Sequence, residues 1–97
     1  MECIEKPINV NCDISIVNLK SAIAQFKYDF GFIPEWFNVY VSIEAIFACL
    51  TLLDFFNKQT APSPIIYFQV NREYPSDYWS VIGFREGKQY KIYSEGA

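Results

Sequence analysis

The stretch FIPEWFNVYVSIEAIFACLTLLDFF, Phe32 to Phe56, is the most apolar part of the chain and constrains its fold more than any other. Such a run belongs in a membrane, in a buried helix, or on a surface that meets another protein. A membrane span needs about 20 mostly apolar residues in succession. Glu35, Glu44 and Asp54 interrupt this one, and carboxylates are costly in lipid, so a span is not expected. In the later part Ile43, Ile46, Phe47, Leu50, Leu53 and Phe56 fall at helical spacing, with Glu44, Thr51 and Asp54 largely elsewhere, which predicts a core helix over Ile43 to Phe56. The early part, PEWFNVY, is less regular. Pro34 and Glu35 suit the first turn of a helix, whereas Ser42 is a cap in its own right. The second helix therefore starts near Pro34 or, after a short irregular piece, near Ser42.

Upstream, the even positions from Ile4 to Ile14 are Ile, Lys, Ile, Val, Cys, Ile and the odd ones are mostly polar. This alternation predicts a strand over Cys3 to Cys12, with Pro7 placing its early part at a sheet edge or bulge. Ser15 is a good helix cap, and Ile16, Leu19, Ile23, Phe26 and Phe30 form one stripe, so a first helix is expected over Ile16 to Tyr28, stopped by Gly31. Downstream, NKQTAPSP ends the second helix near Asn57. PIIYFQV is apolar on both faces, as in a central strand, and YWSVIGF and QYKIY flank the turn REGK as a hairpin. The order β-α-α-β-β-β predicts an α+β single domain over residues 1–97: two helices on one face of a mostly antiparallel four-stranded sheet.

Composition narrows the chemistry. The chain has no histidine, which removes the commonest general base and most zinc sites. Cys3, Cys12 and Cys49 are too few and too irregular for a disulfide framework or a metal knuckle, and reduced thiols fit a cytoplasmic protein. The start MECIEKPINV lacks the basic end and apolar run of a signal peptide. Cys49, among Ala48, Leu50 and Leu53, reads as a small buried hydrophobe rather than a nucleophile. The carboxylates Glu35, Glu44, Asp54, Glu73 and Asp77 sit in no catalytic motif. No enzyme activity, cofactor or metal is expected. A net charge of −3 argues against direct nucleic-acid binding and suits a partner with a basic surface.

Aromatics make up 19% of the residues, more rings than so small a core needs. Two clusters stand beside acids: Trp36, Phe37 and Tyr40 next to Glu35, and Tyr74, Tyr78 and Trp79 next to Glu73 and Asp77. Phe37 is expected in the core. The others either cap the core or anchor a partner, because Tyr and Trp supply large contact area with a polar tip. Two candidate surfaces follow: Glu35, Trp36, Tyr40 and Glu44, and Tyr74, Asp77, Tyr78 and Trp79.

The stretch from Ile8 to Leu50, with the turn IPEWFN and the helix IEAIFACL, resembles the first half of barstar-like ribonuclease inhibitors. That family has a strand, a helix, and a Pro-acid-aromatic-aromatic turn leading into an acidic second helix. The resemblance carries over Glu44, Trp36, Phe37 and Phe47. It departs in about two extra residues near Val39–Tyr40, in Ala48 where the family's helix presents a second acid, and in the strands that end this chain. It implies a stoichiometric inhibitor, an immunity protein that neutralises a toxin such as a nuclease with a basic active site. Two other readings stay open: a phage-encoded inhibitor of a bacterial defence complex, and a structural or assembly subunit that forms a homodimer or larger homo-oligomer.

Overall fold

The computed structural model describes residues 2–8, 14–51 and 64–94. Strand β1 (Cys3–Pro7) leads to helix α1 (Ile16–Phe30), strand β2 (Trp36–Val41) and a second helix, α2, that begins at residue 46 and is described to 51. Strands β3 (Ile65–Val70), β4 (Trp79–Arg85) and β5 (Lys88–Tyr93) follow. They form one five-stranded sheet in the order β1-β5-β4-β2-β3. β1 pairs with β5 and β2 with β3 in parallel, while β4 is antiparallel to both β2 and β5.

The α+β class is as expected; the sheet is not. It has five strands rather than four, and it is mixed rather than mostly antiparallel. The extra strand is β2, in the segment where Pro34 and Glu35 suggested a helix start. WFNVYV is β-branched and aromatic, and its burial alternates, with Phe37, Val39 and Val41 inside. A ladder on each side of β2 outweighs a weak local helix cue. β3, expected at the centre, is an edge strand beside β2. β1 stops at Pro7, and the rest of the expected strand, Cys12 included, lies in or borders residues 9–13, outside the described residues.

α1 forms where its signals place it. The Ser15 hydroxyl accepts the Asn18 amide at 3.1 Å, and Gly31 at φ 83° donates its amide to the Lys27 carbonyl at 2.8 Å. Its inner stripe, Leu19, Ala22 and Phe26, packs on Phe37, Val39, Val41, Trp79, Val81 and Ile92. The Phe26 ring meets Phe30, Phe32 and Phe37 edge-on at 4.8, 5.4 and 5.0 Å. Gly83 lets this cluster close, because a Cβ there would lie 2.8 Å from Pro34 Cγ and 2.9 Å from Phe26 Cζ.

Of the stripe expected, α2 packs Ile46 on the core but not Phe47 or Leu50, and Ile43 before it is exposed. Cys49 is buried, with Ala45 and Ile46 half-buried against the same core, whereas Ile43, Phe47 and Leu50 are exposed. Ser42 sets this rotation: its buried hydroxyl donates to the Ser76 carbonyl at 2.8 Å and accepts the Ala45 amide at 3.3 Å. Leu53 and Phe56 lie outside the described residues, as does the expected end of the helix near Asn57.

Candidate docking face

Both described helices contribute to the core on one side of the sheet. The opposite face carries the alternate residues: Trp36, Asn38 and Tyr40 of β2, Ile65, Tyr67 and Gln69 of β3, Ser80, Ile82 and Phe84 of β4, and Gln89, Lys91 and Tyr93 of β5. Contacts among these side chains fix that assignment. Trp36 lies 6.3 Å from Tyr67 and 5.5 Å from Phe84 between ring centroids. The Gln69 amide donates to Asn38 Oδ1 at 2.8 Å.

The face is aromatic at both ends. At one end Trp36 and Tyr67 are 39% and 50% exposed, with Ile65 beside them, a large apolar area to leave in water. At the other end the loop after β3 folds back. Tyr74 Oη and Ser80 Oγ are 3.0 Å apart, and the Tyr74 ring meets Tyr78 edge-on at 4.5 Å. Tyr78 in turn stacks on Tyr93 at 6.4 Å.

Lys91 lies among these tyrosines, 3.9 Å from a Glu5 carboxylate oxygen. Burial works against its ammonium, but Tyr74, Tyr78 and Glu5 outweigh that effect and hold its pKa above the usual lysine value. Burial pushes the Tyr78 pKa up; Lys91 opposes this, and Tyr74, Tyr93 and Glu5 add to it. Each group is thereby held in its protonated form.

The eight expected site residues are therefore regrouped. Trp36, Tyr40, Tyr74 and Tyr78 share the open sheet face. Trp79 does not: at 1% exposure it is a core residue, paired with Val41 on the helix side. Tyr78 and Trp79 are adjacent, so only one of them can join the open face once the strand is in register. Glu44, Asp77, Tyr78 and Trp79 line a groove of about 510 Å³ with Ile14, Ala45, Ala48 and Ser76. Glu35 lies at the Trp36 end of the sheet face, in a second groove of about 450 Å³ with Phe32, Trp36, Phe84 and Arg85, where the Arg85 guanidinium lies 4.9 Å from the Phe32 ring centroid. Tyr78 is common to the sheet face and the first groove.

Tyr67, Phe84, Tyr93 and Lys91 were not singled out from the sequence. Their signal was the period-two pattern of β3, β4 and β5, which becomes informative only with the register to β2. Among the residues carried over by the resemblance, Phe37 is buried, Trp36 and Glu44 are exposed, and Phe47 is 78% exposed. IPEW enters β2 directly.

Among the described residues no group of three or more Cys, Asp or Glu is placed to hold a metal ion, and no helix is long and apolar enough to cross a membrane. No family model matches the chain, and neither a curated protein nor a solved structure matches it.

Proposed function

We propose that this chain is a small acidic inhibitor that works by stoichiometric binding to another protein, in the manner of an immunity protein that neutralises a toxin. The observation that carries this reading is the open sheet face, where Trp36 and Tyr67 stand beside Phe84 with no helix among the described residues over them. Half-exposed aromatic rings on a rigid sheet are what a binding surface uses for anchors, because little side-chain entropy is lost on docking. The net charge of −3 suits a partner with a basic surface, such as the active site of a nuclease. The likeness of the first half to barstar-like inhibitors points to the same class through Trp36 and Glu44.

The test is parallel affinity capture with the wild-type chain and a Trp36→Ala/Tyr67→Ala variant, followed by assay of the partner's activity. The expected result is a partner held one-to-one by the wild type and inhibited by it, with binding weakened by about 2 kcal/mol or more in the variant. A folded variant that retains full inhibition removes the sheet face from the interface. A stable higher oligomer of the chain alone in light scattering, with the sheet face protected, supports an assembly subunit instead.

A further inference from the structure

The two edges of the sheet are unequal. β1 forms one and β3 the other. In β1 the even residues bond to β5: the Glu2 carbonyl accepts the Gln89 amide, and the Ile8 amide donates to the Tyr93 carbonyl. Cys3, Glu5 and Pro7 therefore turn their backbone groups outward. This edge is blunted. Pro7 has no N–H, its carbonyl accepts the Gln25 side-chain amide at 2.8 Å, and Glu5 and Lys6 put charge on the strand.

β3 carries none of these devices. The Ile65 amide donates to the Glu35 carbonyl and the Asn71 amide to the Val41 carbonyl, both at 2.9 Å. The odd residues thus bond to β2 and the even ones face outward. Ile66 is already engaged. The outward N–H and C=O groups of Phe68 and Val70 have no partner among the described residues. The strand IIYFQV has no charge and no proline, and Tyr67, Gln69 and Val70 are exposed.

Two donors and two acceptors on an uncharged edge are complementary to an identical row running the other way. With Gln69 opposite its own copy across a two-fold axis, Phe68 of each chain meets Val70 of the other. Each such pair exchanges two N–H···O=C bonds, so every one of these groups is satisfied in both chains. The same register sets Tyr67 against Asn71 and opposes no like charges.

We propose that β3 is a dimer edge, through which two copies of this chain join antiparallel about Gln69 into one continuous sheet. The blunted β1 edge stops association at two. The two-fold axis stands perpendicular to the sheet, so both aromatic faces lie on one side and stay uncovered. The dimer therefore does not depend on the docking function proposed above.

So short an edge buries less than the ~1,200 Å² of a stable interface, so the dimer is expected to be weak. Sedimentation of the full chain under reducing conditions, from about 10 μM to about 1 mM, tests it. The expected result is a monomer that gives way to a dimer, with the Phe68 and Val70 amides gaining exchange protection over the same range. Gln69→Lys and Gln69→Glu change an exposed side chain, and each sets like charges against one another across the axis. Each is expected to weaken the dimer about fivefold, and an equimolar mixture of the two is expected to restore it. A monomer at every concentration, a dimer indifferent to both substitutions, or a loss that mixing does not reverse would overturn the proposal. Species larger than a dimer would overturn the closure at β1.

Discussion

The two tryptophans have exchanged the similarity that their neighbourhoods suggest for opposite roles. Both sit in short aromatic and acidic segments, yet Trp36 faces water at the sheet end and Trp79 is enclosed between α1, α2 and the sheet. Replacing Trp79 with alanine leaves a large cavity and is expected to destabilise the fold by about 3–5 kcal/mol. Replacing Trp36 removes ring contacts with Tyr67 and Phe84 but little enclosed volume, and the expected loss is about 1 kcal/mol. Urea unfolding of the two variants measures the contrast. Equal losses would mean that the Trp36 end of the sheet is as enclosed as the core, and the proposed docking face would lose its proposed anchor. Gly83 makes the same point about residue identity from the other side: a Cβ there would come within 3 Å of two side-chain atoms, Pro34 Cγ and Phe26 Cζ.

At the scale of elements, the β4–β5 hairpin is the part where local rules and tertiary structure agree except at one position. Its loop is two residues, Glu86 and Gly87, at φ 52° and 77° between the paired Arg85 and Lys88. Positive φ at both central positions matches the twist of the flanking strands, and the preferred pair is Asn-Gly or Asp-Gly. Glu86 is therefore held in a backbone region that disfavours it. Glu86→Asn should stabilise the protein by about 0.5–1 kcal/mol, a fraction of the ~1–2 kcal/mol that left-handed backbone costs an ordinary L-residue. A urea midpoint that is unchanged or lower would show that the Glu86 side chain compensates for its backbone. α1 contains no such conflict, because Ser15 and Gly31 meet the geometry its two ends require.

At the scale of the whole molecule, three groups among the described residues bind their protons more tightly in the folded state, and they act in the same direction. Burial pushes the Cys49 thiol from 9.0 up to about 11. The Tyr78 and Lys91 values are also raised, for the reasons given above. A raised pKa contributes stability that is fully present below the unfolded-state value and lost as pH rises through the folded one. None of the three weakens the protein near neutrality, and all weaken it in alkali. Between pH 8 and 11 the Cys49 thiol alone should remove about 2–3 kcal/mol, at 1.36 kcal/mol per pKa unit. Urea unfolding at pH 8, 9.5 and 11 under reducing conditions reads this loss, and Cys49→Ala should flatten it. A wild-type stability that is constant over this range, or a variant with the same slope, would contradict the burial of that thiol.

Some of this structure was legible in the residues because its cause is local. Ser15, the stripe through Leu19 and Phe26, and Gly31 specify α1 by contacts within a few turns of one another, and Gly87 between two alternating runs specifies the hairpin. The carboxylates of the central apolar run argued against a span for the same reason: charge is a property of the residue. β2 was not legible, because WFNVYV becomes a strand through the ladders that β3 and β4 offer it, and those partners are remote in sequence. The same long-range pairing sets the parity of every side chain in the sheet. That parity separates Trp79 from Tyr78 and brings Trp36, Tyr67 and Phe84 together. It also puts Ser42 under Ser76, so that Glu44 and Asp77 open on one groove. The sequence by itself determined the α+β class, the acidic and histidine-free chemistry, and a surplus of aromatic rings. Tertiary structure decided which of those rings face water, because a strand's register to its neighbours, and not its own composition, chooses the face each side chain takes.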